Sequence, residues 1–263
     1  MEMHFYVEGY RPEDRERAAE VSECLSNNME LSILDRVFVF SRDPLHSDMQ
    51  QRERVTAIVT SERLTFARWL REAEQRSIGA IAILANADIA LTDSIEYLRD
   101  IFRGNSPSTA FIALTRYEET SRGLELHPSP FWSQDLWALC PGLSGLPTAF
   151  LQQTAFPLGV PGCDNVFAWM AYCHGYVLHN PCLQVVTRHR HRAPTRSYHF
   201  TRDRLLGNYC FVRPAKSVGA PSQLEFEMLV RSEQPITGLM VFNYDGERDR
   251  LLGELHLTLS VES

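Results

Sequence analysis

No stretch of this chain reaches the roughly 18 uninterrupted apolar residues that a membrane-spanning helix requires. The opening segment, MEMHFYVEGYRPEDRER, has no apolar h-region, so neither a secretory signal nor a membrane anchor is expected and the protein reads as cytoplasmic. Six cysteines (Cys24, Cys140, Cys163, Cys173, Cys182 and Cys210) include no C-x-x-C pair, which removes the usual zinc-ribbon and dithiol patterns and predicts reduced, buried thiols. Positive charge is in deficit: the formal net charge is −7, which argues against bulk nucleic-acid binding. Internal repeats and low-complexity tracts are also missing, so neither a solenoid nor a disordered chain is indicated.

What remains is a chain of 263 residues, 44% hydrophobic and 22% charged, long enough to bury a sizeable core without metal or disulfide staples. One large domain, with or without an appendage, is expected. Its most informative stretch is IGAIAILANADIALT, Ile78 to Thr92. Apolar and small residues run without charge or alternation from Ile78 to Ala85, the pattern of a strand buried on both faces of a parallel sheet. The run stops at Asn86-Ala87-Asp88. In open α/β sheets the ligand crevice lies beyond the carboxyl ends of the strands. Asn86 and Asp88 therefore border such a crevice, and on an extended chain two residues so spaced point the same way. Their oxygens suit Mg²⁺ or Mn²⁺ with phosphate as co-ligand. They are equally ordinary turn and cap residues.

The flanking segments alternate. His4 to Val7, Val37 to Phe40, Val55 to Val59 and Thr109 to Leu114 read as strands. Between them, helices are predicted from Pro12 to about Asn27, after a Thr65 cap with Phe66, Trp69, Leu70 and Ala73 on one face, and from an Asp93/Glu96 capping box to Phe102 or Arg103. This βαβ rhythm predicts a mostly parallel sheet flanked by helices. Tyr117 to Pro157 reads as loop-rich, with one strand near residues 135 to 139. Gly159 and Gly162 in FPLGVPGCDN then permit close backbone approach, a helix opens at Asp164-Asn165, and a strand from Val177 to Val186 runs into TRHRHRAPTRSY. SQLEFEMLV, ITGLMVFNY and LLGELHLTLSV look like three short strands, so the expected division is an α/β domain over residues 1–213 and a small β appendage over 214–263.

The segments ANADI, SQDLW, FPLGVPGCDN and TRHRH, in that order, resemble nucleotide-sugar-dependent glycosyltransferases of the A-type fold. The nearest likeness is to a poorly characterised bacterial and viral group with NSDI, S-x-D-x-W, FPLG-x-PGCDN and H-x-H segments. The resemblance spans roughly Arg63 to Tyr198 and says nothing of the last fifty residues. It implies a Rossmann-like α/β fold and a nucleotide-diphosphate sugar as donor, with a glycan or other hydroxyl compound as acceptor. Asn86 and Asp88 match the metal and diphosphate motif, usually D-x-D. Asn in the first position lacks a carboxylate's charge, which leaves nucleotide binding better supported than metal binding.

Within that resemblance, His189 and His191 are candidates to complete a metal site with Asp88. Arg188 and Arg190, with Arg192 and Arg196 beside them, suit either a diphosphate clamp or an exposed strand end. Asp164 is the candidate general base that takes the proton of the acceptor hydroxyl, or else a helix N-cap. Asp135 is the second candidate, as base or as a ligand for donor hydroxyls, or else a solvated strand-edge residue. Trp137 and Trp169 have apolar neighbours on each side and read as core, which leaves Trp132 available for stacking on a sugar. Glycosyl transfer is the leading reading. A non-catalytic nucleotide-sugar or glycan-binding module is the alternative, and a metal-dependent phosphohydrolase is weaker because a second carboxylate cluster is missing.

Overall fold

The computed structural model describes residues 1–42, 52–104, 107–190, 199, 202–229 and 242–243. In chain order the elements are β1 (Met3–Glu8), α1 (Arg15–Glu30), β2 (Arg36–Ser41), β3 (Val55–Val59), α2 (Phe66–Arg76), β4 (Ile81–Ala85) and β5 (Ile89–Ala90). A 3-10 turn (Asp93–Glu96) leads into α3 (Tyr97–Gly104), followed by β6 (Ala110–Thr115), β7 (Tyr117–Thr120), β8 (Gly123–Leu126), a second 3-10 turn (Pro130–Trp132) and β9 (Gln134–Leu139). The rest comprises α4 (Thr148–Gln153), α5 (Cys163–Cys173), β10 (Val177–His179), β11 (Arg188–His189), β12 (Gly207–Val212), β13 (Leu224–Leu229) and β14 (Phe242–Asn243).

Seven strands form the central sheet in the order β10-β6-β9-β4-β1-β2-β3. All pairings are parallel except those of β9, which runs antiparallel to both β4 and β6. The fold is α/β, with a mostly parallel sheet flanked by helices. Alternation along the strands sorts the core into two layers. Tyr6, Phe40, Leu84, Phe111 and Trp137 face one side, where Phe66, Trp69 and Phe167 from α2 and α5 meet them. Phe5, Val39, Ile83 and Ile112 face the other, against Val21 and Leu25 of α1 and Leu98 and Phe102 of α3. All six cysteines are free thiols, and five of them are buried.

Several local expectations change. Helix α1 starts at Arg15 because Asp14 is the cap, its side chain accepting from the Arg17 backbone N–H; Pro12 lies upstream. The helix also runs past Asn27-Asn28, since Asn28 is used in tertiary bonding rather than as a helix stop. Its amide donates to the Ile89 carbonyl and its oxygen accepts from the Leu91 N–H, both at 2.8 Å. Thr65 caps α2 as expected. Asp93 and Glu96 form no capping box; they lie in the 3-10 turn, and the Thr92 hydroxyl before it bonds to Ser94 and the Val186 carbonyl. The central strand begins at Ile81 rather than Ile78, because Gly79 at φ +74° sits in a turn.

The stretch expected to be loop-rich contains the hairpin β7-β8, which joins β5 and β11 in a second sheet of order β5-β11-β7-β8. Strand β10 stops at His179, well short of Val186. Asn180 ends it by accepting from the Thr115 N–H at 3.1 Å and donating to the Val212 carbonyl at 2.8 Å, which ties β6 and β12 to the same point. A third sheet has the order β12-β13-β14. The division expected at residues 213 and 214 falls in the connection between paired strands β12 and β13, and Phe226 of β13 packs on Trp169 and Tyr172 of α5. The third expected C-terminal strand lies outside the described residues.

Replacing Asn28, 1% exposed, with alanine leaves the Ile89 carbonyl and the Leu91 N–H buried without their partner. The expected loss is about 2–4 kcal/mol. Urea unfolding should show it as a lower midpoint at unchanged slope, and an unmoved midpoint would mean water replaces the side chain.

Candidate active site at the carboxyl edge of the sheet

Because β9 runs against β4, its first residues arrive where β4 ends. The register pairs Ala85 with Leu136, and the Asn86 N–H donates to the Asp135 carbonyl at 3.0 Å. Asn86, Ala87 and Asp88 then form a turn closed by the Ile89 N–H on the Asn86 carbonyl at 3.1 Å. The two predicted donors therefore do not share a direction. The Asn86 amide donates to Asp135 Oδ1 at 2.8 Å, while Asp88 turns toward α1 and β11.

Asp135 is buried, which overturns its reading as a solvated edge residue. Its second oxygen, Oδ2, accepts from Arg116 Nη1 at 2.8 Å and from the Ser133 hydroxyl at 3.0 Å. Arg116 also donates through Nε to Glu118 Oε1 at 2.7 Å. Glu118 Oε2 lies 2.7 Å from His189 Nδ1, and His189 Nε2 lies 3.2 Å from Asp88 Oδ2. That oxygen in turn receives Arg17 Nη2 at 2.5 Å, and Arg17 Nη1 reaches Glu20 at 2.9 Å. Carboxylate and cation thus alternate along one connected chain, so each buried charge has an opposite partner.

Between two carboxylates both ring nitrogens of His189 must donate, which calls for the imidazolium. Burial opposes that charge, but the hydrogen bonds to Asp88 and Glu118 outweigh burial and push the pKa up to about 9. Glu118 responds in the opposite sense: burial would raise it, and the bonds and charges of His189 and Arg116 bring it down to about 2.

Asp164 is set apart. It is not the cap of α5; Gly162 holds that position at φ +80°. Instead its Oδ2 accepts the Gln134 N–H at 3.2 Å, which places it one residue from Asp135. Burial first, and the charge of Asp135 second, raise its pKa to about 7 against its backbone hydrogen bonds. The residue still keeps partial solvent access. Beside the ion-paired Asp135, Asp164 is thus a carboxyl that exchanges its proton near neutrality.

Five of the predicted residues, Asn86, Asp88, Asp135, Asp164 and His189, therefore belong to one neighbourhood. Arg188 is exposed on β11, and Arg190 pairs with Glu23 and approaches Glu119 at 3.6 Å. His191, Arg192 and Arg196 lie outside the described residues. Among the described residues no three His, Cys, Asp or Glu side chains converge as metal ligands. In this arrangement Arg17 and protonated His189 supply the positive charge that faces Asp88. Arg17, Arg116, Glu118 and Ser133 were not anticipated from the sequence. For Arg116 and Glu118 the signal was the Arg-x-Glu alternation at 116–118, which is compatible with a strand, and for Ser133 its place at the head of the SQDLW segment.

No protein-family model matches the chain, and no curated protein matches it. Solved structures do resemble it in shape. A mannosyltransferase from Pyrobaculum calidifontis, in complex with GDP-Man and Mn²⁺, aligns at 18% identity and a TM-score of 0.46 over 75% of this chain and 58% of its own. S. aureus TarS, residues 1–349, aligns at 10% identity and a TM-score of 0.44 over 73% and 59%. GalNAc-T7 with UDP, GalNAc and Mn²⁺ aligns at 10% and 0.48 over 73% and 44%. The chain thus spans less than two thirds of the length of each of these structures.

A raised carboxyl pKa favours the fold only while the group is protonated. Asp164 therefore contributes stability that is full below the ordinary carboxylate range and is lost as pH rises through about 7. Asp164→Asn removes the ionisation. The variant should match the wild type near about pH 4 and exceed it by on the order of 2–4 kcal/mol near about pH 8. Thermal unfolding across that range measures the gap, and a gap independent of pH would place the Asp164 pKa at its ordinary value.

Proposed function

We propose that this protein transfers a glycosyl group from a nucleoside-diphosphate sugar to a hydroxyl acceptor. The observation that carries the reading is Asp164, a carboxyl with a pKa near 7 and partial solvent access, beside Asp135 at the carboxyl edge of an α/β sheet. A general base works best with a pKa near the operating pH. The order of the ANADI, SQDLW and FPLGVPGCDN segments supports the same reading.

In this proposal Asp164 accepts the acceptor hydroxyl proton as the oxygen attacks the anomeric carbon. The bond from that carbon to the diphosphate oxygen breaks, and the nucleoside diphosphate leaves with the electron pair. Asn86, Arg116 and Ser133 hold the Asp135 carboxylate in place, and burial first, with the charge of Asp135 second, keeps the neighbouring Asp164 from ionising below neutrality. The Asn86-Asp88 turn and Arg17 form the wall against which the donor diphosphate would bind. Mn²⁺ or Mg²⁺ dependence is proposed from the resemblance alone.

A second reading, a non-catalytic nucleotide-sugar or glycan-binding module, draws on one observation: Asn86 and Asp88 both spend their side chains on protein partners. The two readings separate in a thermal-shift panel of UDP-, GDP-, CMP- and dTDP-sugars with and without Mn²⁺, followed by turnover of whichever donor raises the melting temperature. Transfer predicts turnover that is lost in Asp88→Ala with the fold intact. It also predicts a kcat roughly 10²–10⁴ lower in Asp164→Asn at unchanged donor KM. Full turnover in both variants removes the proposed machinery, and donor binding with no turnover or hydrolysis in the wild type favours the module.

A further inference from the structure

Strand β3 ends the central sheet. It pairs with β2 on one side, and among the described residues no strand pairs on its other side. Soluble proteins usually blunt an edge strand with a lysine, a proline or a bulge, because an open row of backbone donors and acceptors invites another chain. Strand β3 has none of these. Its sequence, VTAIV, carries no charge, its pairing with β2 runs without a shift in register, and Val59 is 75% exposed.

The backbone bonds fix which groups face outward. The Val37 N–H donates to the Arg54 carbonyl at 2.8 Å and the Thr60 N–H to the Ser41 carbonyl at 3.0 Å, so the even-numbered residues here turn their backbone groups toward β2. These directions alternate along a strand. Val55, Ala57 and Val59 therefore turn theirs outward, and among the described residues only the Val55 N–H is engaged, by the Arg52 carbonyl at 2.9 Å.

A second copy of the chain matches that edge. Two copies of one strand related by a two-fold axis pair antiparallel, with outward residues opposite outward residues. Centring the axis on Ala57 uses all three: Ala57 meets its own copy, and Val55 meets Val59 of the second copy. Centring it one residue to either side leaves one of the three without a partner inside β3. The Ala57 register also brings Arg52 of one copy toward Glu62 of the other, and Glu53 toward Arg63, so unlike charges meet at both ends. A parallel pairing in register would oppose each charge to itself.

We propose that this protein self-associates as a two-fold dimer through β3, with Ala57 at the axis, which joins two seven-stranded sheets into one. The axis sends the two carboxyl edges in opposite directions, so both candidate sites stay open. A pairing this short is small against a standard interface, so the dimer dissociates on dilution. The dimer stands or falls independently of the transferase reading.

The test is sedimentation velocity of the full chain from about 1 to about 100 µM, with hydrogen exchange of the β3 amides at both ends of that range. The dimer fraction should rise with concentration, and the Ala57 and Val59 amides should exchange roughly tenfold more slowly at the upper end. Ala57→Lys sets two ammonium groups beside each other at the axis and should weaken the dimer roughly tenfold or more, as should Ala57→Glu with two carboxylates. An equal mixture of the two variants should dimerise again. Ala57 is exposed, so neither side chain enters the core. A wild type that stays monomeric throughout, or that dimerises without slowing the β3 amides, overturns the proposal whatever the folding of the variants. A dimer undiminished in Ala57→Lys, or a mixture of folded variants that stays monomeric, overturns it as well.

Discussion

The reversed direction of β9 is the constraint on which the candidate site depends. In a wholly parallel sheet, the start of one strand and the end of its neighbour lie at opposite edges. Here β9 enters between β4 and β6 from the far side, so Gln134 and Asp135 come to the edge where β4 gives way to Asn86. The backbone bond between Asn86 and Asp135 is the last rung of that ladder, and the side-chain bond between the same residues continues it. Arg116, which follows β6 on the other flank, reaches Asp135 for the same reason.

From that junction the charges propagate in a fixed order. Arg116 is half-buried between Asp135 and Glu118; partial burial disfavours its charge, but the two carboxylates outweigh it and hold the guanidinium protonated. His189 repeats the arrangement between Glu118 and Asp88, and Arg17 between Asp88 and Glu20. Removing one partner from such a chain would strand an unpaired buried charge, so the network holds its geometry firmly. Asp164 stands outside this alternation. No guanidinium meets it among the described residues; burial first, and the charge of Asp135 second, hold its proton more tightly than that of an ordinary exposed carboxyl, against the opposing pull of its backbone N–H bonds.

The smaller sheets serve this edge. Asn28 ties α1 to the chain on both sides of β5, which places Arg17 against Asp88. Asn180 joins the ends of β6 and β10 to β12, and β12 then lays Tyr209 and Phe211 beside the start of α5. Two buried amides, each satisfied at both oxygen and nitrogen, thus connect the main sheet to the elements that shape the site.

The α/β class, the strands β1 to β4 and β6, and the helix from Phe66 were legible in the sequence, because local hydrophobic periodicity records burial whatever the partner. The sequence also singled out Asn86, Asp88, Asp135, Asp164 and His189, which the fold gathers in one neighbourhood, through their places at strand ends and at a glycine-flanked helix start. Their partners were not. Arg17 looks like one more arginine on a polar helix face, and Arg116 and Glu118 like a loop, since nothing within a few residues of them distinguishes a buried charge from a solvated one. Asp164 reads as a helix cap until the fold puts Gly162 in that position and Asp135 alongside. Local sequence determined which segments are strands and helices, because backbone propensity and side-chain periodicity act over a few residues. Only the tertiary structure decided which carboxylates are neutralised and which holds a proton near neutrality, because desolvation and Coulomb interactions depend on groups brought together from 19 to 101 positions apart.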